Sequence, residues 1–244
     1  FEARLSNTAS WVNVLPQRRA DGTFTLTRAQ LEAVYGQALP DGTYTLQLRA
    51  RDQFNNTGST SIPFTLDTRV QPPQNLQLTS GSDSGSSSSD RITRIQTPTI
   101  TGSAEPNAIV QIRQNTTTIA TALADPQGNW QATLPALTNG THTFVAIAVD
   151  IAGNVSAASS PLMIQVDAQA PSVPTIALSS ISDSGTSNTD QITNRAALTL
   201  TGSTEANTII KLFHNNQEIR QVTETASGTW QVTLAALSDG VHRF

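Results

Sequence analysis

The sequence repeats itself at a fixed spacing of 100 residues, and this register constrains the fold more than any other feature. Asp83-Ser84-Gly85 recurs as Asp183-Ser184-Gly185, and Trp130 recurs as Trp230. The same offset joins further pairs without a gap, namely Asp90 with Asp190, Thr101-Gly102-Ser103 with Thr201-Gly202-Ser203, Glu105 with Glu205, Gly140 with Gly240 and Phe144 with Phe244. Such a register indicates tandem structural repeats.

A weaker match extends the pattern toward the N-terminus. Asp41-Gly42 aligns with Asn139-Gly140 at an offset of 98, and Asp52 aligns with Asp150. The sequence therefore predicts three repeats: a partial, divergent repeat one at 1–67, a complete repeat two at 68–167, and repeat three at 168–244. Prolines follow each boundary, which predicts stiff linkers.

Repeat two has the pattern of about seven short strands separated by turn residues, as in a β-sandwich or barrel. The predicted strands are 74–79, 97–103, 108–114, 117–123, 129–134, 141–149 and 162–167. Period-two alternation, carried over from Tyr44, Leu46, Leu48 and Ala50, predicts that His142, Phe144, Ala146 and Ala148 face the core. Val145, Ile147 and Val149 would then form an apolar stripe on the outer face, either covered by a neighbour or available as a contact patch.

Three local features complete the expected architecture. Trp130 and Trp230 are interpreted as core anchors, and residues 28–35 could form a short helix. Repeat three reaches Phe244 just as its next-to-last strand begins. We therefore expect the described chain to expose a sheet edge and part of a core there, and the natural protein to continue.

Composition excludes several classes of function. The chain has no cysteine, only 13% charged residues and a net charge of −4, which argues against disulfides, thiolate metal sites and nucleic-acid binding. No apolar run reaches the roughly 18 residues of a membrane span, and no signal peptide opens the chain. His142 and His242 share one repeat position and are interpreted as structural. His214 stands alone, no histidine pair has metal-site spacing, and no catalytic motif is present, so we expect no enzyme.

The repeated motifs resemble the bacterial immunoglobulin-like repeats of giant surface and biofilm-associated adhesins. The matching residues in repeat three are Ser182-Asp183-Ser184-Gly185, Asp190-Gln191-Ile192-Thr193-Asn194, Leu200-Thr201-Gly202-Ser203-Thr204-Glu205 and Gly228-Thr229-Trp230. The resemblance implies an all-β fold of tandem seven-stranded immunoglobulin-like β-sandwiches in an elongated array. Two departures are Arg94 in place of Asn194, and Ser82 where the family often has another Asp.

The resemblance also implies Ca²⁺ at domain junctions, and the chemistry fits because Ca²⁺ prefers carboxylate, amide and carbonyl oxygens. The predicted ligands are Asp67, Asp83, Asp90, Glu105, Asp150, Asn154, Asp167, Asp183, Asp190 and Glu205. In the expected strand order, the linker meets Glu105, Asp150 and Asn154 at one pole of repeat two. Asp83, Asp90 and Asp167 lie at the other pole, or Asp83 and Asp90 close a site within the domain. The alternative is that these acids are ordinary turn residues.

These features favour structural stalk repeats of a bacterial surface or secreted adhesin, extracellular and stiffened by calcium. The expected partners are neighbouring repeats of the same chain, with a host-cell, surface or matrix ligand bound by regions outside this stretch. Two alternatives are a glycan- or protein-binding module that uses the outer stripe, and spacer domains of a multidomain extracellular enzyme.

Overall fold

The computed structural model describes residues 1–5, 10–85, 87–223 and 227–244. These residues form an all-β protein, as predicted, and divide into two compact units, Phe1–Ala168 and Gln169–Phe244. The predicted repeats one and two both lie within the first unit. The division of the chain at residues 67 and 167 stays a prediction.

The N-terminal part of the first unit is a four-stranded sheet with a short helix packed against it. The strands are β1 (Glu2–Leu5), β2 (Val12–Asn13), β3 (Gly42–Arg51) and β4 (Thr57–Leu66), in the order β2-β1-β3-β4. A 3-10 turn (Leu15–Gln17) and helix α1 (Arg28–Tyr35) lie between β2 and β3. Ala3, Leu5, Val14, Val34, Leu39 and Tyr44 form the buried core.

Helix α1 spans the residues that the sequence predicted, and its ends are defined by specific contacts. Thr27 and Gln30 form a capping box at the N-terminus, and Gly36 ends the helix in a left-handed conformation with φ 91°.

Within the described residues, no helix combines the length and apolar character that crossing a membrane requires.

Repeat two is a two-layer β-sandwich whose strands agree with the predicted ones to within two residues at each end. They are β5 (Gln74–Leu78), β6 (Ile92–Thr93), β7 (Thr99–Ser103), β8 (Ile109–Gln114), β9 (Thr117–Leu123), β10 (Asn129–Thr133), β11 (Gly140–Val149) and β12 (Leu162–Val166). One sheet has the order β10-β7-β5 and the other the order β6-β12-β11-β8-β9. The sequence missed β6, a two-residue strand that pairs in parallel with the end of β12.

The core of this sandwich depends on a tryptophan that packs against a glycine of the neighbouring strand. Trp130 on β10 is buried, as predicted, and lies opposite Gly102 on β7. A Cβ atom at Gly102 would lie 2.6 Å from Trp130 Cζ2 and 2.9 Å from the backbone oxygen of Gln74. Gly202 is placed in the same way beside Trp230. The glycine of the repeated Thr-Gly-Ser motif is therefore required because a side chain at this position would collide with the indole ring.

The apolar stripe on the outer face of β11 is largely covered. Ile147 lies opposite Gln111 on β8, and Val145 lies opposite Arg113, so these side chains share one face of the sheet. Arg113 Nη2 donates a hydrogen bond of 3.0 Å to Gln111 Oε1, and Ile147 is only 6% exposed. Long polar side chains with apolar stems commonly cover apolar surface in this way. Ile147 at the centre of the stripe is thus buried, while Val145 and Val149 are half-buried.

The second unit has the same arrangement of strands as the first part of repeat two. Its strands are β13 (Ala177–Leu178), β14 (Thr199–Ser203), β15 (Ile209–His214), β16 (Gln217–Thr223) and β17 (Thr229–Thr233), in sheets of order β13-β14-β17 and β15-β16. Leu200, Ile210, Leu212, Trp230 and Val232 form its buried core. An open cleft of about 750 Å³ lies beside Leu200 and Phe244. Phe244 is 36% exposed, whereas Phe144 at the equivalent position of repeat two is fully buried.

We expect Gly102→Ala to destabilise repeat two by about 1–3 kcal/mol, because the added methyl overpacks the Trp130 ring and the Gln74 carbonyl. Calorimetric melting of the full chain, with hydrogen exchange to locate the affected strands, measures the change. Gly81→Ala is the matched control, since no atom lies within 4 Å of a Cβ at Gly81. Equal melting of the two variants would contradict this packing account.

Candidate functional site

Three side chains hold the linker between repeats one and two through hydrogen bonds. Asn154 Nδ2 donates to the Asp67 carbonyl at 3.1 Å, and Gln71 N donates to Glu105 Oε1 at 2.8 Å. On the side of repeat one, Thr68 Oγ1 donates to the Asp41 carboxylate at 2.8 and 3.1 Å. We call Asp41, Glu105 and Asn154 the linker clamp. The clamp ties the linker to both of the repeats that it joins.

Asn154 is held in place by a five-residue turn that begins at Asp150. Asp150 Oδ1 accepts from Asn154 N, and Oδ2 accepts from Asn154 Nδ2, both at 2.8 Å. Gly153 takes the left-handed conformation with φ 89° that the turn requires. Repeat one has the same bonds between Asp52 and Asn56, with Asn55 at φ 68° in the left-handed position. The aspartate thus orients the asparagine that reaches the linker.

Hydrogen bonding holds the carboxyl group of Asp150 in its ionised form. Partial desolvation raises the pKa of Asp150, but the bonds from the side chain and backbone of Asn154 outweigh it, so the pKa lies below its usual value of 3.8. The side-chain bond from Asn56 is the largest cause of the lowered pKa of Asp52. Both carboxylates therefore favour the folded state at neutral pH.

The same kinds of contact recur near the next linker, one within each unit. In the first unit, Ala168 N donates to Asn139 Oδ1 at 3.1 Å, and Asn139 aligns with Asp41 of the linker clamp. In the second unit, Ser172 N donates to Glu205 Oε1 at 2.8 Å, as Gln71 does to Glu105. No role for Asp41 or Asn139 was predicted from the sequence. Both residues stand directly before a repeated glycine, Gly42 or Gly140, and this shared position could have indicated a common structural role.

Apart from β6, side-chain oxygens hold the described residues of the long loop at 79–85 and 87–98. Ser82 Oγ accepts from Thr99 N at 2.8 Å, and Ser84 Oγ accepts from Arg94 N at 2.8 Å. Asp90 Oδ1 accepts from Ile92 N at 3.0 Å, just before the loop enters β6. Ser182, Ser184 and Asp190 make the corresponding bonds in repeat three. Ser82, which departs from the family pattern, thus has a defined structural role.

Asp83 is a buried carboxylate with one uncompensated oxygen. Its Oδ2 accepts from Arg91 N at 3.1 Å, whereas no group in the described residues donates to Oδ1, and the residue is 6% exposed. Asp183 is 5% exposed and has the same orphaned oxygen and the same bond, from Gln191 N. Because a buried anionic oxygen without a donor is costly, this position suits a cation. The chemistry of the Asp83 loop therefore fits Ca²⁺.

The predicted ligands do not form one compact acidic cluster in the described residues. Asp167 N donates to Thr93 O at 2.8 Å, which places Asp167 beside the loop of Asp83 and Asp90. Glu105 and Asn154 belong to the linker clamp, and Asn154 bonds both the Asp67 carbonyl and the Asp150 carboxylate. Within the described ranges, no three histidine or acidic side chains are arranged to hold a metal ion together. Calcium binding by these residues and by their repeat-three counterparts stays a prediction.

One expectation about the histidines is wrong. His214 does not stand alone, because its Nε2 atom lies 3.0 Å from Nδ1 of His242. The two residues are far apart in sequence but adjacent in the fold, as Gln114 and His142 are in repeat two at 3.1 Å. Sequence spacing alone could not show the pair, because the contact depends on how β15 meets the segment at 240–244.

We expect Asn154→Ala to speed tryptic cleavage after Arg69 by about fivefold, because losing roughly 1 kcal/mol of hydrogen bonding lets the linker open more often. The rate of the Arg69 cut in the full chain is measured by mass spectrometry. Asn56→Ala is the matched control, since it removes the same bond within the turn but no bond to the linker. Equal acceleration by both variants would contradict the clamp.

We also expect acid to remove part of the stability that Asp150 contributes. Since its folded pKa is lowered, this contribution is complete above the usual carboxyl pKa of 3.8 and is lost as the pH falls through the lower folded value. Asp150→Asn should melt below the wild type at pH 7, and the difference should shrink below about pH 4. A difference in melting temperature that stays constant between pH 2 and pH 7 would contradict the assignment.

Comparisons with known proteins identify the type of repeat. The family model described as "Bacterial Ig-like domain" matches residues 69–168 and 170–244. No curated protein matches the chain. A solved structure described as "Crystal structure of tetra-tandem repeat in extending region of large adhesion protein" is 22% identical, covers 97% of this chain and 58% of its own, and has a TM-score of 0.36.

Two further solved structures are more distant. The first, of Clostridium thermocellum CbhA fibronectin(III)-like modules, is 18% identical over 53% of this chain and 65% of its own, with a TM-score of 0.30. The second, the BSP domain of a biofilm-associated protein, is 12% identical over 92% of this chain and 41% of its own, with a TM-score of 0.26. The chain thus spans less than two thirds of each of these proteins. The family match covers most of the sequence, and the chain belongs to the bacterial Ig-like domain family.

Proposed function

We propose that this chain is a non-catalytic stalk segment of a bacterial surface or secreted adhesin. Its tandem repeats would project a distal binding region away from the cell, and calcium ions at the junctions would stiffen them. In this role the repeats do not recognise the ligand themselves. They set the distance and the direction at which another part of the protein presents its binding site.

The observation that supports a stalk most directly is the linker clamp. A spacer that only needs length can use a flexible linker, whereas this linker is bonded to the side chains of both repeats that it joins. Pro73 is also buried beside it. Since each bond restricts the backbone at the joint, the clamp favours a fixed angle between repeats one and two over free hinge motion.

Calcium is proposed to act first at the loops of Asp83 and Asp183, where one buried carboxylate oxygen has no donor among the residues that the structure describes. A divalent ion there would compensate the buried charge and tie the loop to its surroundings. Glu105 and Asp150 are weaker candidates, because their oxygens already accept hydrogen bonds from the linker and the turn. Calcium at the linker clamp would have to share these oxygens.

The alternative of a ligand-binding module rested on the outer stripe of β11. Since Ile147 is buried and Val145 and Val149 are half-buried, this stripe offers little exposed apolar surface for a ligand. The alternative of a spacer within an extracellular enzyme uses the same clamp. It differs from the adhesin only in the domains that the repeats separate.

Calcium dependence of melting and of particle length tests the proposal on the full chain. In Ca²⁺ at about 100-fold its dissociation constant, mass action should stabilise the binding repeat by about 2.7 kcal/mol and raise its melting temperature by roughly 10 °C. Small-angle scattering should show a longer maximum dimension in Ca²⁺ than in chelator. Identical curves in the two conditions would contradict calcium stiffening.

The double variant Asp83→Asn, Asp183→Asn makes this test specific. In chelator it should be as stable as the wild type or more stable, because it removes an uncompensated buried charge. In Ca²⁺ it should be less stable, because it has lost the charged ligands. Asp125→Asn is the control, since Asp125 shapes an exposed turn through Gln127 and Asn129. A calcium response that survives in the double variant would rule out these two loops.

A further inference from the structure

Neither the proposed stalk function nor the proposed calcium binding involves the contact between His214 and His242. His214 lies at the end of β15, and His242 lies on the segment that runs beside it, where Asn215 N donates to Arg243 O at 3.0 Å. The imidazole atoms His214 Nε2 and His242 Nδ1 are 3.0 Å apart. Phe244 stacks on the His214 ring with centroids 4.8 Å apart, which limits the rotation of that ring.

A backbone bond fixes the tautomer of His242. His242 Nε2 lies 2.8 Å from the Ser238 carbonyl, and since a carbonyl only accepts, Nε2 carries the proton. Nδ1 of His242 therefore presents a lone pair toward His214. A histidine that donates its second ring nitrogen to a backbone carbonyl has the orientation found in metal-ligating histidines.

The side-chain amide of Asn215 lies beside the histidine pair, and the protonation of His214 Nε2 decides which end of that amide faces it. His214 Nε2 must carry a proton to bond with His242 Nδ1, yet Asn215 Nδ2, a donor, also lies 3.4 Å from His214 Nε2. Two donors cannot bond with each other, so the Asn215 amide is better placed with its oxygen toward the pair. In that orientation two imidazole nitrogens and one amide oxygen can present lone pairs to a common point.

We propose that His214, His242 and Asn215 form a binding site for a divalent transition-metal ion that prefers imidazole, with water completing the coordination. Two nitrogens bound to one tetrahedral Zn²⁺ at about 2.0–2.1 Å lie roughly 3.3–3.4 Å apart, so the observed separation needs only a small expansion. The metal replaces the proton between the rings. This site is chemically distinct from the oxygen-only sites proposed for calcium.

Repeat two supplies a natural control at the same positions. There, Gln114 Nε2 donates to His142 Nδ1 at 3.1 Å, and His142 Nε2 bonds the Thr138 carbonyl at 2.8 Å. The scaffold is thus the same, including the fixed tautomer, but an amide replaces the second imidazole. Because Gln114 lies within a fully paired sheet, the contact between these two positions does not depend on the end of the chain.

The test is a titration of the full chain with Zn²⁺, Ni²⁺ and Cu²⁺ by calorimetry, with NMR of the histidine ring nitrogens to locate the bound ion. One ion should bind at His214 Nε2 and His242 Nδ1, with Cu²⁺ tightest according to the general affinity order. His214→Gln should weaken binding by about tenfold or more. This variant is expected to fold, since it recreates the Gln–His pair of repeat two.

The reciprocal variant Gln114→His should create a second site, with ring-nitrogen shifts at His142 on addition of Zn²⁺. Absence of Zn²⁺ binding by the wild type would overturn the proposal. Equal affinity of the wild type and His214→Gln would also overturn it. Because the calcium variants leave these residues unchanged, failure here is separate from failure of the proposed stalk function.

Discussion

The loops and joints of this protein depend on hydrogen bonds from backbone N–H groups to side-chain oxygens. The chain has few charges and no disulfides, and its longest loop has little regular structure to satisfy its backbone. Ser82, Asp83 and Ser84 accept N–H groups there, and Glu105 does the same for the linker. Polar residues that would otherwise suggest flexible loops thus fix both the loops and the path of the chain between repeats.

Strands β7 and β11 connect the core of repeat two to the residues that bond the linker. The packing of Trp130 on Gly102 sets the spacing of β7 and β10, and the strand β7 runs directly toward Glu105, which bonds the linker. β11 likewise ends at Asp150, whose turn presents Asn154 to Asp67. Residues of the linker clamp therefore lie next to strand ends, where the sheet holds the adjoining backbone.

The sequence predicted the strands, the helix at 28–35 and the buried tryptophans, because these depend on local periodicity and on the repeat. It did not predict β6, because a two-residue strand within a serine-rich loop has no periodic pattern. Nor could it show that Ile147 lies opposite Gln111, or that His214 meets His242, since each contact joins residues far apart in sequence. The grouping of the acidic residues at two poles stays a prediction, and the use of Glu105 as a hydrogen-bond acceptor for the linker required the structure.

The central claim is that the joint between repeats one and two is held and does not act as a flexible tether. Backbone ¹⁵N relaxation of the full chain tests it directly at Thr68, Arg69 and Gln71. If the linker clamp holds, order parameters at these residues should be about 0.85, as in the neighbouring strands. Values below about 0.6 at these residues, with rigid strands on both sides, would show a flexible tether and contradict the account.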